Sequence, residues 1–121
     1  MSKKNEIPQS ALRFLNLVVA VRSLPSVPSL DVIEEQILNA LALKWAAGTK
    51  VTVMEMLKFF SNTSPSTVHR RLKSLKKKGM LSLKEDDDDN RTKYILPTAL
   101  TIDYYEKIGK CMTLAAKGAR S

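Results

Sequence analysis

Two short stretches hold most of the side chains in this chain that could do chemistry. The first is SPSTVHRRLKSLKKKG, residues 64–79, which sets hydroxyl, imidazole, guanidinium and ammonium groups at helical spacing. These groups donate hydrogen bonds, and their natural acceptors are phosphate oxygens and base edges. The second is KEDDDDNR, residues 84–91, with five consecutive acids from Glu85 to Asp89 in a chain of formal net charge +8. Other chemistries lack their parts. His69 is the single histidine and Cys111 the single cysteine, so neither an internal disulfide nor a metal site can be built from them. No nucleophile, base and carboxylate fall into a catalytic pattern around His69. The expectation is a protein that is not an enzyme and uses no cofactor.

The charge balance points to a class of partner. Twenty Lys and Arg residues against twelve Asp and Glu over 121 residues suit nucleic acid or an anionic membrane. The most apolar stretch, Ala11 to Val21, is interrupted by Arg13 and Asn16 and is too short to span a bilayer. Its flanks lack the cleavage pattern of a secretory signal. No membrane association is expected, and a reducing cytoplasm is the expected location. The length suits one domain with a core of its own.

The elements that must hold the two stretches follow from pattern and punctuation. Gln9 to Leu24 has apolar residues at helical spacing, after Pro8 and before a Pro25–Ser29 connector. Asp31 with Glu34 forms a capping box for a helix that uses Ile33, Ile37, Ala40, Leu41 and Trp45 and stops at Gly48. Residues 49–51 read as a short extended link. Thr52 with Glu55 reads as a second capping box, opening a helix through Val53, Met56, Leu57 and Phe60. Ser64 before Pro65 marks the N-cap and first turn of the next helix, 65–78, which turns Val68, Leu72 and Leu75 inward and ends at Gly79. Met80–Leu83 and Thr92–Leu96 read as two strands, with KEDDDDN as the tip between them. Thr98 starts a last helix with Leu100, Tyr104, Ile108, Cys111 or Met112, and Ala115 on one side.

This order, mostly α with a small β-hairpin, is that of a winged helix-turn-helix with extra N- and C-terminal helices. The second helix of the turn pair fits the major groove and presents its N-terminal half to base edges. With Val68, Leu72 and Leu75 inside, Ser66, Thr67, His69, Arg70, Lys73, Ser74 and Lys77 face outward, flanked by Arg71, Lys76 and Lys78. Arg70 can pair bidentately with guanine. Lys73, Lys76 and Lys77 suit phosphate, as do the backbone N–H groups near Ser64 at the helix start.

Residues 64–98 carry a resemblance to a known family. SPSTVHRRLKSLKKKGML resembles the recognition helix of the MarR family and its winged-helix relatives, and DDNRTKYILPT resembles that family's wing. The resemblance implies double-stranded DNA as partner and a role in transcriptional regulation. It puts the wing arginine at Arg91, reaching into the minor groove with Lys93 beside it. The aspartate that orients this arginine falls on Asp88 or Asp89, while the remaining acids face water. The run is longer than the family pattern needs, and Asn90 stands where a second arginine is common. The family's effector pocket is not carried over, and any small-molecule effector is left unknown.

The first and last helices are more apolar than a small winged core can cover. A C₂ homodimer follows, in which residues 1–28 form an arm and dimerisation helix, 29–97 the DNA-binding domain and 98–121 a C-terminal dimerisation helix. The alternative is a winged-helix protein-interaction or non-specific clamp module in a replication, partition or transcription assembly. The ratio of specific to non-specific DNA binding separates the two.

Overall fold

The computed structural model describes residues 6–24 and 28–118. The first five residues and the Pro25–Val27 part of the expected connector lie outside the described residues. The elements are α1 (Gln9–Arg22), α2 (Val32–Ala46), β1 (Val51–Thr52), α3 (Val53–Phe59), α4 (Pro65–Lys77), β2 (Leu81–Glu85), β3 (Lys93–Pro97) and α5 (Ala99–Ala116). They fall into two compact units. One is Pro28–Ile102; the other joins Met1–Val27 to Asp103–Ser121.

The Pro28–Ile102 unit is the winged helix-turn-helix. Its α2 starts on a complete capping box: Asp31 Oδ1 accepts from the Glu34 N–H (2.7 Å) and Glu34 Oε1 accepts from the Asp31 N–H (2.9 Å). Both α2 and α4 stop where a glycine takes a left-handed conformation, Gly48 at φ 77° and Gly79 at φ 79°. After Gly79 the Met80 N–H reaches back to the Leu75 carbonyl (2.9 Å), and Thr49 does the same to Lys44 (3.1 Å). This is the Schellman closure, which only glycine enters without a Cβ penalty.

Ile37, Leu38 and Leu41 of α2, Met56 of α3, and Val68, Leu72 and Leu75 of α4 form the core with Val51, Leu81 and Ile95 of the sheet and Met80 just before β2. Trp45 is half-buried, and its indole N–H donates to the Ile95 carbonyl (2.9 Å).

The sheet differs from the expected hairpin. It has three antiparallel strands in the order β1-β3-β2, with Val51 opposite Ile95 and Thr52 opposite Tyr94. The link expected over residues 49–51 thus ends in a short strand that covers the outer edge of β3. The first strand of the hairpin runs two residues further toward the tip than expected, while the second starts one residue later, at Lys93. Lys84 pairs with Tyr94 and Glu85 with Lys93, and the last pair sets opposite charges across the ladder. The second capping box is only half formed: Thr52 Oγ1 accepts from the Glu55 N–H (3.1 Å), while the Glu55 carboxylate accepts from the Thr52 hydroxyl (3.1 Å).

The first turn of α5 belongs to this unit because of two threonines. Thr98 caps the Thr101 N–H (3.2 Å) and donates to the Gly79 carbonyl (2.6 Å); the buried Thr101 hydroxyl donates to the Met80 carbonyl.

In the second unit, α5 buries Tyr104, Cys111 and Ala115, which settles the Cys111-or-Met112 choice for Cys111. Met112 is 54% exposed. No residue of α1 is buried, and Leu12, Phe14, Leu15 and Val19 are open to solvent. Arg13 Nη1 donates to the Ala116 carbonyl (3.3 Å), joining α1 to the end of α5.

Candidate nucleic-acid interface

The start of α4 is organised by hydroxyls. Ser64 Oγ accepts from the Thr67 N–H (3.2 Å) and donates to Thr67 Oγ1 (2.8 Å), which in turn accepts from Arg70 Nη2 (3.5 Å). Ser66 Oγ lies 3.4 Å from Ser64 Oγ. The cap therefore engages the Thr67 N–H, and Pro65 has none. Ser66 is left as the first-turn N–H that could meet a phosphate, fewer than the sequence suggests. Ser64, Ser66, His69, Arg70, Lys73, Lys76 and Lys77 are exposed and Thr67 is half-buried.

Three residues that flank or share the outward face have inward work. Ser74, expected to face outward, does line the cleft between α4 and the wing, but its hydroxyl donates to Glu34 Oε2 (2.7 Å). Lys78 Nζ lies 2.8 and 3.0 Å from the two Glu34 oxygens and 2.7 Å from the Ser29 carbonyl. Arg71 Nε sits 2.9 Å from Asp31 Oδ2, close enough for a charge contact but off the line of a hydrogen bond. These groups tie α4 to the N-terminus of α2. Glu34 is 2% exposed. Burial pushes its carboxyl up, but hydrogen bonds from Lys78, the Asp31 N–H and Ser74, with the Lys78 charge, outweigh that and hold it below the usual glutamate value.

The wing tip is built by two of its aspartates. Asp86 Oδ2 accepts from the N–H groups of Asp88 (3.0 Å) and Asp89 (3.1 Å), and Oδ1 accepts from the Tyr94 hydroxyl (3.1 Å). The Asp86 N–H donates to the Thr92 carbonyl (2.9 Å). Asp89 Oδ1 accepts from the Arg91 N–H (3.0 Å) and lies 3.5 Å from Arg91 Nε, while Oδ2 accepts from the Thr92 hydroxyl (3.1 Å).

Of the pair Asp88 and Asp89, only Asp89 contacts Arg91; no side-chain bond reaches Asp88 from the described residues. Asp86, expected to face water, is a structural acceptor instead. The Asp88 and Asp89 N–H groups and the Tyr94 hydroxyl hold its carboxyl below the usual aspartate value, and that same hydrogen bond raises the Tyr94 hydroxyl. Lys50 Nζ stands 5.8 Å from the centre of the Tyr94 ring.

Between α4 and the wing lies an open cleft of about 1100 Å³. Its rim brings together His69, Arg70, Lys73, Lys76, Lys77, Arg91 and Lys93, and its floor includes Leu72, Leu83 and Val53. No carboxylate is among its described lining residues. Ser64, Ser66 and Thr67 sit at the helix start outside this lining, and so do Asp88 and Asp89. Thr52, Met54 and Thr92 also line it and were not anticipated. The signal for Met54 was its place one residue past the buried-face Val53 in a short helix, which turns a 62%-exposed thioether outward. The side-chain arrangement gives a cationic, acid-free concavity bounded by one helix and one β-ribbon. Such a surface suits a polyanion whose grooves admit both elements.

No family model matches the sequence, and no curated protein sequence matches it. Solved structures that match along most of the chain include the following three. A MarR-like transcriptional regulator from Thermotoga maritima is 21% identical over 94% of this chain and 81% of that one, with a TM-score of 0.60. MarR is 19% identical over 92% and 80%, with a TM-score of 0.60. The heme sensor protein PefR from Streptococcus agalactiae, in complex with heme, is 15% identical over 98% and 83%, with a TM-score of 0.59. The chain has the winged-helix fold of the MarR-type transcriptional regulators.

Proposed function

We propose that this protein binds double-stranded DNA sequence-specifically as a homodimer and regulates transcription, with no catalytic step of its own. The observation that carries the reading is the cleft between α4 and the wing, where six Lys and Arg side chains and His69 converge without a carboxylate among the described lining residues. In this reading Arg70 reads a base edge and His69, Ser66 and Thr67 assist it at the groove end of the helix. Ser64, Lys73, Lys76 and Lys77 hold phosphate, and Arg91 with Lys93 engages the flanking minor groove. Asp89 steadies Arg91, and Asp88 faces solvent.

The dimer is supported by the apolar side chains left open on α1 and α5, among them Phe14 (61%), Val19 (65%) and Met112 (54%). A scattered exposed leucine is ordinary, but a helix with no buried residue and four open large apolar ones wants a partner. Among the described residues no helix is long and apolar enough to cross a membrane, and in this reading the protein works in the cytoplasm, in contact with the DNA it binds.

The test is selection of genomic fragments by the purified chain, followed by titration of the best fragment against random duplex at fixed salt. A regulator prefers its site by at least about a thousandfold. A preference near one at every salt concentration would instead mark a clamp or docking module.

A further inference from the structure

We infer that Asp86 is the positioning residue of the wing, fixing the turn that aims Arg91 and Lys93 at DNA. This rests on the DNA-binding reading above and adds to it a residue that touches no DNA. Tyr94 anchors the arrangement, because it lies on the central strand, opposite both Thr52 of β1 and Lys84 of β2. Its hydroxyl holds one Asp86 oxygen at 3.1 Å. The other oxygen takes the Asp88 and Asp89 N–H groups, and Asp89 then takes the Arg91 N–H and stands beside its guanidinium. The chain of contacts runs from sheet to Asp86, to the turn, to Asp89 and to Arg91.

Without the Asp86 carboxylate, two backbone donors at an exposed tip turn to water and the arginine loses its fixed base. Asp87, next in sequence, is exposed, and no hydrogen bond or ion pair reaches its carboxylate from the described residues. The two aspartates therefore carry equal charge and unequal structural roles.

The experiment compares Asp86→Ala with Asp87→Ala in the full chain, by amide hydrogen exchange of the free protein and by binding to a short random-sequence duplex. Each substitution removes one negative charge near DNA, so charge alone tightens binding equally in both. Asp87→Ala should tighten it slightly. Asp86→Ala should weaken it by about tenfold, the size of one lost positioned contact, and should lower the salt slope by about one.

Exchange at the Asp88, Asp89 and Arg91 amides should quicken in Asp86→Ala and not in Asp87→Ala, and Tyr94→Phe should reproduce part of both Asp86→Ala effects. Equal tightening by the two alanine variants, or unchanged exchange in Asp86→Ala, overturns the role given to Asp86. Failure of the unsubstituted chain to bind any duplex overturns the DNA reading instead, and the exchange result tells the two apart.

Discussion

Lys76, Lys77 and Lys78 are consecutive and chemically identical, yet the geometry gives the third a different role, and Lys78→Met tests that division. Its ammonium is 2.8 and 3.0 Å from the two oxygens of Glu34, whose side chain is only 3% exposed. Removing one partner of a buried ion pair costs about 3–5 kcal/mol, because the other charge stays buried without compensation. Two features reduce that figure here. The Lys78 side chain is itself 30% exposed, and Glu34 keeps donors from Ser74 at 2.7 Å and the Asp31 N–H at 2.9 Å.

A loss of about 2–3 kcal/mol is expected, a large share of the roughly 5–15 kcal/mol that holds a domain together. Lys77→Met, at an exposed position, should stay within about 0.5 kcal/mol. Urea unfolding followed by circular dichroism measures both.

The pH dependence gives an independent check. The folded-state value of Glu34 lies below its ordinary 4.5, so the unfolded state binds more protons through that range. The stabilisation is complete above about pH 4.5 and disappears as pH falls through the lowered folded value. In Lys78→Met the carboxyl loses its strongest compensation and rises, so the gap between variant and parent should narrow on acidification. If Lys78→Met and Lys77→Met unfold at the same urea concentration near neutral pH, the pair does not hold α4 to α2.

Two further outcomes are expected. Arg70→Ala should cost about 1–3 kcal/mol on the best site and relax one base preference, while Lys76→Ala and Lys77→Ala weaken all sequences alike and each lower the salt slope by about one; equal losses on random and best sites would make Arg70 a phosphate contact. Sedimentation equilibrium should give about twice the 13.5 kDa chain mass, and Val19→Asp should halve it; a monomeric parent would remove the dimer.

Much of the fold was legible because each boundary has a local cause in the sequence. Ser64-Pro65 opens α4 and Gly79 closes it, and both act through groups within one turn. Val68, Leu72 and Leu75 could be assigned to the core from spacing alone. What was not legible depends on residues far apart in sequence. The β1 strand is two residues long and exists through its pairing with Tyr94 and Ile95, more than forty positions away. Ser74 and Lys78 look like any outward residues of a basic helix. Only the approach of Glu34, 40 and 44 positions earlier, turns them to structure. The candidate site divides in the same way. The cations of α4 are visible from periodicity, whereas their meeting with Arg91 and Lys93 around one cleft requires the folded hairpin.

The same distinction explains an acidic run inside a basic protein. Read by charge alone, residues 85–89 oppose the attraction that residues 64–79 create. Read by acceptor count, they divide. Glu85 belongs to the ladder, across from Lys93. Asp86 and Asp89 spend their oxygens on N–H groups and hydroxyls of the turn. A short tip must satisfy its backbone donors without a partner strand, and aspartate does this better than most residues because its carboxylate reaches N–H groups two and three positions ahead. A carboxylate so engaged directs its charge into the turn, while Arg91, 94% exposed on its side chain, carries the outward charge. The wing can therefore be acidic in composition and still present a cation at its tip. Net charge along a sequence window is a poor guide to the field a folded loop presents, because it ignores which charged atoms already hold hydrogen-bond donors.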